Sequence, residues 1–144
     1  MRWRDETSKE CQADFDSLLD EVIGLAAERI ATNWGLTPFA LVVDARGVKG
    51  LVGTLDDDAD GVTMSDTPIR DRVVDRVASL RDEVRSVAVV SQVIPEGSKD
   101  TEIEVLLEHR EFALQILVPY EMPDSTTFNL GTMRAAKSTH LVWT

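Results

Sequence analysis

The sequence predicts a single α+β domain spanning residues 1–144: an antiparallel sheet of about five strands with two helices packed on one face. The predicted order is α-β-β-α-β-β-β, followed by an irregular or short-stranded tail. Three observations carry this reading. A long segment with apolar residues at three- and four-residue steps opens the chain, and a shorter one sits near its middle. Between residues 84 and 122, three apolar runs share one pairing register. With 144 residues and 43% hydrophobic content, the chain fits one domain and buries roughly two-thirds of its unfolded surface.

The first helix covers residues 7–34. Cys11, Phe15, Leu18, Leu19, Val22, Ile23, Ala26 and Ile30 form one apolar stripe along it. Asp5, Thr7 or Ser8 supplies the N-cap, Gly35 the left-handed stop, and Pro38 a second barrier. Gly24, inside the helix, costs about 1 kcal/mol against alanine, which points to a close neighbour at that position. "FALVVD" (39–44) has strand composition, "ARG" (45–47) turns the chain, and "VKGLVG" (48–53) returns it as a weaker strand loosened by Gly50 and Gly53. The second helix starts at Thr67-Pro68, with Thr67 as N-cap and Pro68 at the first helical position, where its missing N–H is no loss. Ile69, Val73, Val77, Leu80 and Val84 make its buried stripe.

The strands "VRSVAVVSQVIP", "TEIEVLLEHR" and "FALQILVPYEM" follow as a meander. Ile103, Val105 and Leu107 fall on odd positions, while Phe112, Leu114, Ile116 and Val118 fall on even ones. The two sets share a face only across an even-length turn at Arg110-Glu111, which sets Leu107 opposite Leu114 and Val105 opposite Ile116. Reading "EGSKD" (96–100) as an odd-length loop sets Val93 opposite Ile103, Val89 opposite Leu107 and Val87 opposite His109. On the reverse face Val90 then opposes Leu106, with Leu117 beside them and Glu102 and Glu104 as an acidic border. An apolar patch with a polar rim marks an interface. Val90, Leu106, Leu117, Glu102 and Glu104 are therefore the expected interaction surface. Its cover is a second copy of the chain, or the C-terminal segment through Phe128, Leu130, Leu141 and Trp143.

Over residues 7–122 this element order is similar to that of roadblock-type domains, small dimeric scaffolds that regulate GTPases. The likeness is one of order alone. Those domains usually close with a helix, whereas residues 124–144 are turn-rich and β-branched and contain Gly131.

The formal net charge of −11 repels nucleic acid unless the 15 basic residues gather on one face. Instead Arg70, Arg72, Arg76, Arg81 and Arg85 interleave with Asp71, Asp75, Asp82 and Glu83, the pattern of a solvated helix face. A protein partner, itself basic, suits this chain better than nucleic acid. No apolar run approaches the roughly 20 residues of a membrane span, and "MRWRDETSKECQADF" lacks the apolar core of a signal peptide. Cys11 alone makes no internal disulfide, which fits a reducing compartment, so the expected location is the cytoplasm.

In "TLDDDADGVTMSD" (54–66), Asp56, Asp58, Asp60 and Gly61 match the D-x-D-x-D-G opening of a calcium loop. Counted from Asp56, position 12 is Thr67, which offers no bidentate carboxylate, and the preceding element reads as a strand. An acidic strand-to-helix turn and a calcium site both stay open. For catalysis the residues are scattered. His109 reads as a strand-end residue and Cys11 as a buried small hydrophobe. His140 sits beside Ser138 and Thr139 with no orienting third group, and Asp44 suits a turn. "GVKGLVG" matches neither the dinucleotide fingerprint nor the Walker pattern. The expectation is a non-catalytic, cofactor-free, acidic protein-interaction or regulatory module, homodimeric, of scaffold, chaperone or immunity type. The alternative is a small metal-dependent enzyme or ligand binder in which Asp44, Asp56, Asp58 and Asp60 converge on a cation.

Overall fold

The computed structural model describes residues 3–33, 36–52, 66–95, 100–124 and 127–143. After a single turn of 3-10 helix (Trp3–Glu6), α1 runs over Lys9–Asn33. Of the three offered caps Ser8 is used: its Oγ accepts the Cys11 N–H at 3.2 Å. The apolar stripe is the buried face, with Cys11, Phe15, Leu18, Val22, Ala26 and Ile30 at most 2% exposed. Each fully buried aliphatic or aromatic side chain contributes about 1.5–3 kcal/mol. Gly24 differs from expectation, because a Cβ placed there meets no atom within 4 Å.

β1 (Phe39–Asp44) and β2 (Lys49–Val52) form the expected hairpin. Its turn is closed by Asp44, whose Oδ1 accepts the N–H groups of Arg46 at 2.8 Å and Val48 at 2.9 Å. Gly47 takes the left-handed φ of 88° that an L side chain resists. α2 covers Asp66–Ser79 and ends before its sequence stripe does: Leu80 lies in the following turn, and Val84 opens β3 (Val84–Val93). β4 (Glu102–His109) and β5 (Phe112–Asp124) complete the meander. The tail adds two short strands, β6 (Thr127–Leu130) and β7 (Arg134–Lys137), each pairing a different part of β5. Among the described residues seven antiparallel strands thus run β2-β1-β3-β4-β5-β6, with β7 also on β5: the five foreseen and two short ones from the tail. Among the described residues no helix is long and apolar enough to cross a membrane.

Both helices pack on the sheet, but on opposite faces of it rather than on one. α1 shares a core with Phe39, Leu41, Val43, Ala88, Val90, Ile103, Val105, Leu107, Leu114, Ile116 and Val118. α2, through Val73 and Val77, shares a second core with Ala40, Val42, Val87 and Val89, the alternate residues of β1 and β3.

This layering explains where the pairing register holds and where it shifts. Across the two-residue turn at Arg110-Glu111, Leu107 pairs with Leu114 and Val105 with Ile116, as the alternation of β4 and β5 predicts. Between β3 and β4 the pairing is one residue off: Val89 lies opposite Leu106, Val90 opposite Val105, and Ser86, not Val87, opposite His109. Parity reads a register only when one face is polar. β3 is apolar on both faces because each is covered by a helix, so "VAVV" holds no clue to which side a given valine takes.

Candidate functional site

The expected calcium ligands Asp56, Asp58 and Asp60 lie outside the described residues. Asp44, the fourth carboxylate of that alternative, is engaged locally. The Val48 N–H holds its carboxyl below the ordinary range, with the Arg46 N–H and guanidinium adding to the effect. Asp44 is a turn residue of the Asx kind.

The expected interaction patch is not assembled as one surface. Val90 is 0% exposed and belongs to the α1 core, opposite Val105. Leu106 and Leu117 lie half-buried on the other face, opposite Val89 and Glu104 respectively. The correction follows from the one-residue register shift, which moves Val90 through the sheet. Glu102 and Glu104 do share the face of Leu106, but as buried ion pairs rather than as a solvated rim. Arg134 of β7 reaches Glu102 Oε1 at 2.5 Å. Glu104 accepts Arg70 of α2 at 2.7 Å on Oε1 and the Gln115 amide at 2.8 Å on Oε2. The Ser91 hydroxyl, on the strand position opposite Glu104, is buried and has no hydrogen-bond partner among the described residues.

A second polar cluster lies under the start of α1. Asp14, one helical turn from Cys11 on the buried stripe, is 6% exposed. Arg85 holds it with two bonds, Nε to Oδ2 and Nη2 to Oδ1, both 2.9 Å, and the Ser86 hydroxyl donates to Oδ2 at 2.5 Å. Nearby, His109 Nδ1 accepts the Glu111 N–H at 3.2 Å, which leaves its proton on Nε2, 3.2 Å from Glu10 Oε1. Ligand atoms of Glu10, Asp14 and His109 lie within 4.8 Å of one another, so these three are the residues able to hold a metal ion among the described ones. The guanidinium of Arg85 already neutralises Asp14 and lies 3.8 Å from Glu10. The cluster is therefore a network tying α1 to β3 and β4, in which the charge a cation would supply comes from the chain itself. Cys11, close by, has its thiol pushed up to about 12, first by burial and then by the neighbouring carboxylates Glu111, Asp14 and Glu10. That places it far from the thiolate form a nucleophile needs.

A third carboxylate organises the end of the chain. Glu108, 5% exposed on the α2 face of β4, accepts three consecutive backbone N–H groups. Leu141 donates to Oε2 at 2.9 Å, while Val142 and Trp143 donate to Oε1, each at 2.8 Å. Val142 enters the α2 core at 1% exposure. The indole N–H of Trp143 donates to the Arg81 carbonyl at 3.2 Å, and His140 Nε2 to the His109 carbonyl at 2.7 Å. The tail thus does cover part of this face, as one reading of the sequence expected, through Trp143, which that reading named, and through Val142, which it did not. Leu130 and Leu141 remain 43% and 41% exposed, and Phe128 packs on the α1 core, stacked on Tyr120 at 5.2 Å.

At the far end of β5, a groove of about 330 Å³ is lined by Asp100, Glu102, Tyr120, Glu121, Leu130 and Gly131, among others. Sequence reasoning missed Asp14, Glu108 and Glu111 as organising groups. For Asp14 a signal existed, since a charge three residues after Cys11 falls on the buried stripe and demands a partner. For Glu108 and Glu111 none did, because their partners are 33 to 35 and 103 residues away.

No protein-family model matches the chain, and neither a curated protein nor a solved structure is similar to it at a level that shows kinship. The likeness of element order to roadblock-type domains therefore carries no argument about function.

Proposed function

We propose that the chain is a non-catalytic, acidic protein-interaction or regulatory module of the cytoplasm, acting as a homodimer toward a basic protein partner. Scaffold, chaperone and immunity-type roles share this chemistry. One observation carries the reading: among the described residues β2 is the edge strand of the sheet, and apolar side chains are bare there, Leu51 within it at 55% and Val48 just before it at 56% exposure. An edge strand with unpaired backbone groups and exposed aliphatic side chains is a template for pairing with another chain. The net charge of −11 favours basic partners and speeds their encounter. The buried carboxylates Asp14, Glu102, Glu104 and Glu108 are each committed to a structural partner.

Light scattering tests the dimer. Wild type is expected as a particle of two 16.0 kDa chains, and Leu51→Glu as one. A wild-type chain that stays single at every concentration would end the dimer reading. The alternative, a metal-dependent enzyme or ligand binder, rests on the spacing of Asp56, Asp58, Asp60 and Gly61 alone.

A further inference from the structure

The geometry points to a peptide-binding site on the α2 face, built around Glu108, which the chain fills with its own residues 140–143. Three features of this contact are those of ligand recognition rather than of core packing. The first is a buried carboxylate that grips backbone, not side chain: three successive amides converge on Glu108 within 2.9 Å. Such a grip is indifferent to side chains and takes a segment bent, as Leu141 and Val142 are, so that successive N–H groups point the same way. The second is one fully buried side-chain anchor, with Trp143 half-buried against the same core. Val142 is 1% exposed in the core of Val77, Val84 and Val87, while its neighbour Leu141 is 41% exposed. The third is a pair of main-chain acceptors at the rims, the Arg81 carbonyl for the Trp143 indole and the His109 carbonyl for His140.

The approach to this seat is lightly held. All four residues of β7, just before it, are exposed, as are Thr139 and Leu141. A segment fixed by one buried side chain and a set of backbone bonds opens at lower free energy than the strands beneath it. When it opens, the groove offers a bent peptide segment a carboxylate for its consecutive N–H groups, an aliphatic pocket and main-chain acceptors at the rims. The occupant it fits is a neutral or basic peptide carrying an aliphatic residue followed by an aromatic one, since a carboxylate on the ligand would face Glu108. The chain's own His-Leu-Val-Trp is one such segment, and it acts as an intramolecular competitor. This assignment names a second surface and does not depend on dimerisation, which mass in solution tests separately.

The test uses the full chain. Val142→Asp prevents the segment from seating, and the synthetic peptide Ser-Thr-His-Leu-Val-Trp, followed by calorimetry, is expected to bind this variant at least about tenfold more tightly than wild type. Adding Glu108→Ala is expected to reduce that binding about tenfold or more. Absence of peptide binding to Val142→Asp, or binding unchanged by Glu108→Ala, overturns the assignment. Amide exchange on the unmodified chain decides the case by itself if the variant does not fold. Leu141, Val142 and Trp143 are expected to exchange roughly tenfold or more faster than Val105 and Leu107. Equal rates would mean that the segment leaves only on global unfolding, and the site would then be part of the core.

Discussion

The Glu111 carboxylate, in the turn between β4 and β5, holds the first residue of the α1 cap across 103 residues of chain: Oε1 accepts the Ser8 N–H at 3.0 Å and Oε2 the Ser8 hydroxyl at 2.6 Å. Ser8 in turn caps the helix through the Cys11 N–H. One carboxylate thereby fixes where the long helix meets the sheet.

The Ser8 hydroxyl, and next the Ser8 N–H, hold the Glu111 carboxyl below the ordinary range. A carboxyl with a lower folded than unfolded value stabilises the fold above the unfolded value, about 4.3, and loses that contribution as pH falls through the folded one. Glu111→Gln is therefore expected to cost about 1 kcal/mol or less near neutral pH, discounted for the exposure of the pair, and nothing in strong acid. Urea denaturation of both chains from about pH 3 to 7 checks this. A gap that stays constant down to the lowest pH would show that the ionised carboxylate is not what matters.

Gly24 is exposed on α1, its backbone lacks the positive φ that would demand glycine, and a Cβ there meets nothing within 4 Å. Replacing it removes backbone freedom from the unfolded chain without adding a clash. Gly24→Ala is expected to raise stability by about 0.5–1 kcal/mol, read as a shifted denaturation midpoint with unchanged slope. A destabilised variant would reveal that some contact uses the gap.

The stripe of α1 and the β4–β5 register were legible because each has one clear partner face. Cys11 to Ile30 repeats at helical spacing, and the odd set Ile103, Val105, Leu107 meets the even set Leu114, Ile116, Val118 across a two-residue turn. The side of the sheet on which α2 lies was not legible. β1 over residues 39–43 and β3 over residues 87–90 are apolar on both faces, Ala40 and Val42 as much as Phe39 and Leu41, so alternation vanishes where both faces are buried. The candidate site failed for the same reason. Val90 was assigned to the open face by a parity that β3 does not possess, and the carboxylates of β4 look like a solvated border until Arg70, Arg134 and the tail amides are brought to them by the fold.

Calcium is the cheapest discriminator between the two functional readings. The loop that starts at Asp56 meets Thr67 at position 12, where a bidentate carboxylate normally completes the coordination. Asp44 keeps its Oδ1 for the N–H groups of Arg46 and Val48. No heat and no thermal shift are therefore expected on titration with calcium up to about millimolar concentration. Stoichiometric binding that Asp58→Asn weakens would instead favour the cation-dependent alternative.

Arg85 and Asp14 form the polar joint between α1 and β3, with the arginine forked onto both carboxylate oxygens and Ser86 added on one of them. Asp14 is 6% exposed, so removing the arginine strands a charge that water reaches poorly. Arg85→Ala is expected to cost roughly 3 kcal/mol. Arg85→Lys is expected to recover only part of that, since an ammonium cannot make two parallel bonds. The decisive quantity is the coupling. If the pair acts as a unit, the Asp14→Ala, Arg85→Ala double variant is more stable than the sum of the single losses implies, by about 1 kcal/mol or more, because neither charge is then left alone. Strict additivity in that cycle would show that the two side chains support the fold independently, and that burial of Asp14 rests on Ser86 and its other neighbours.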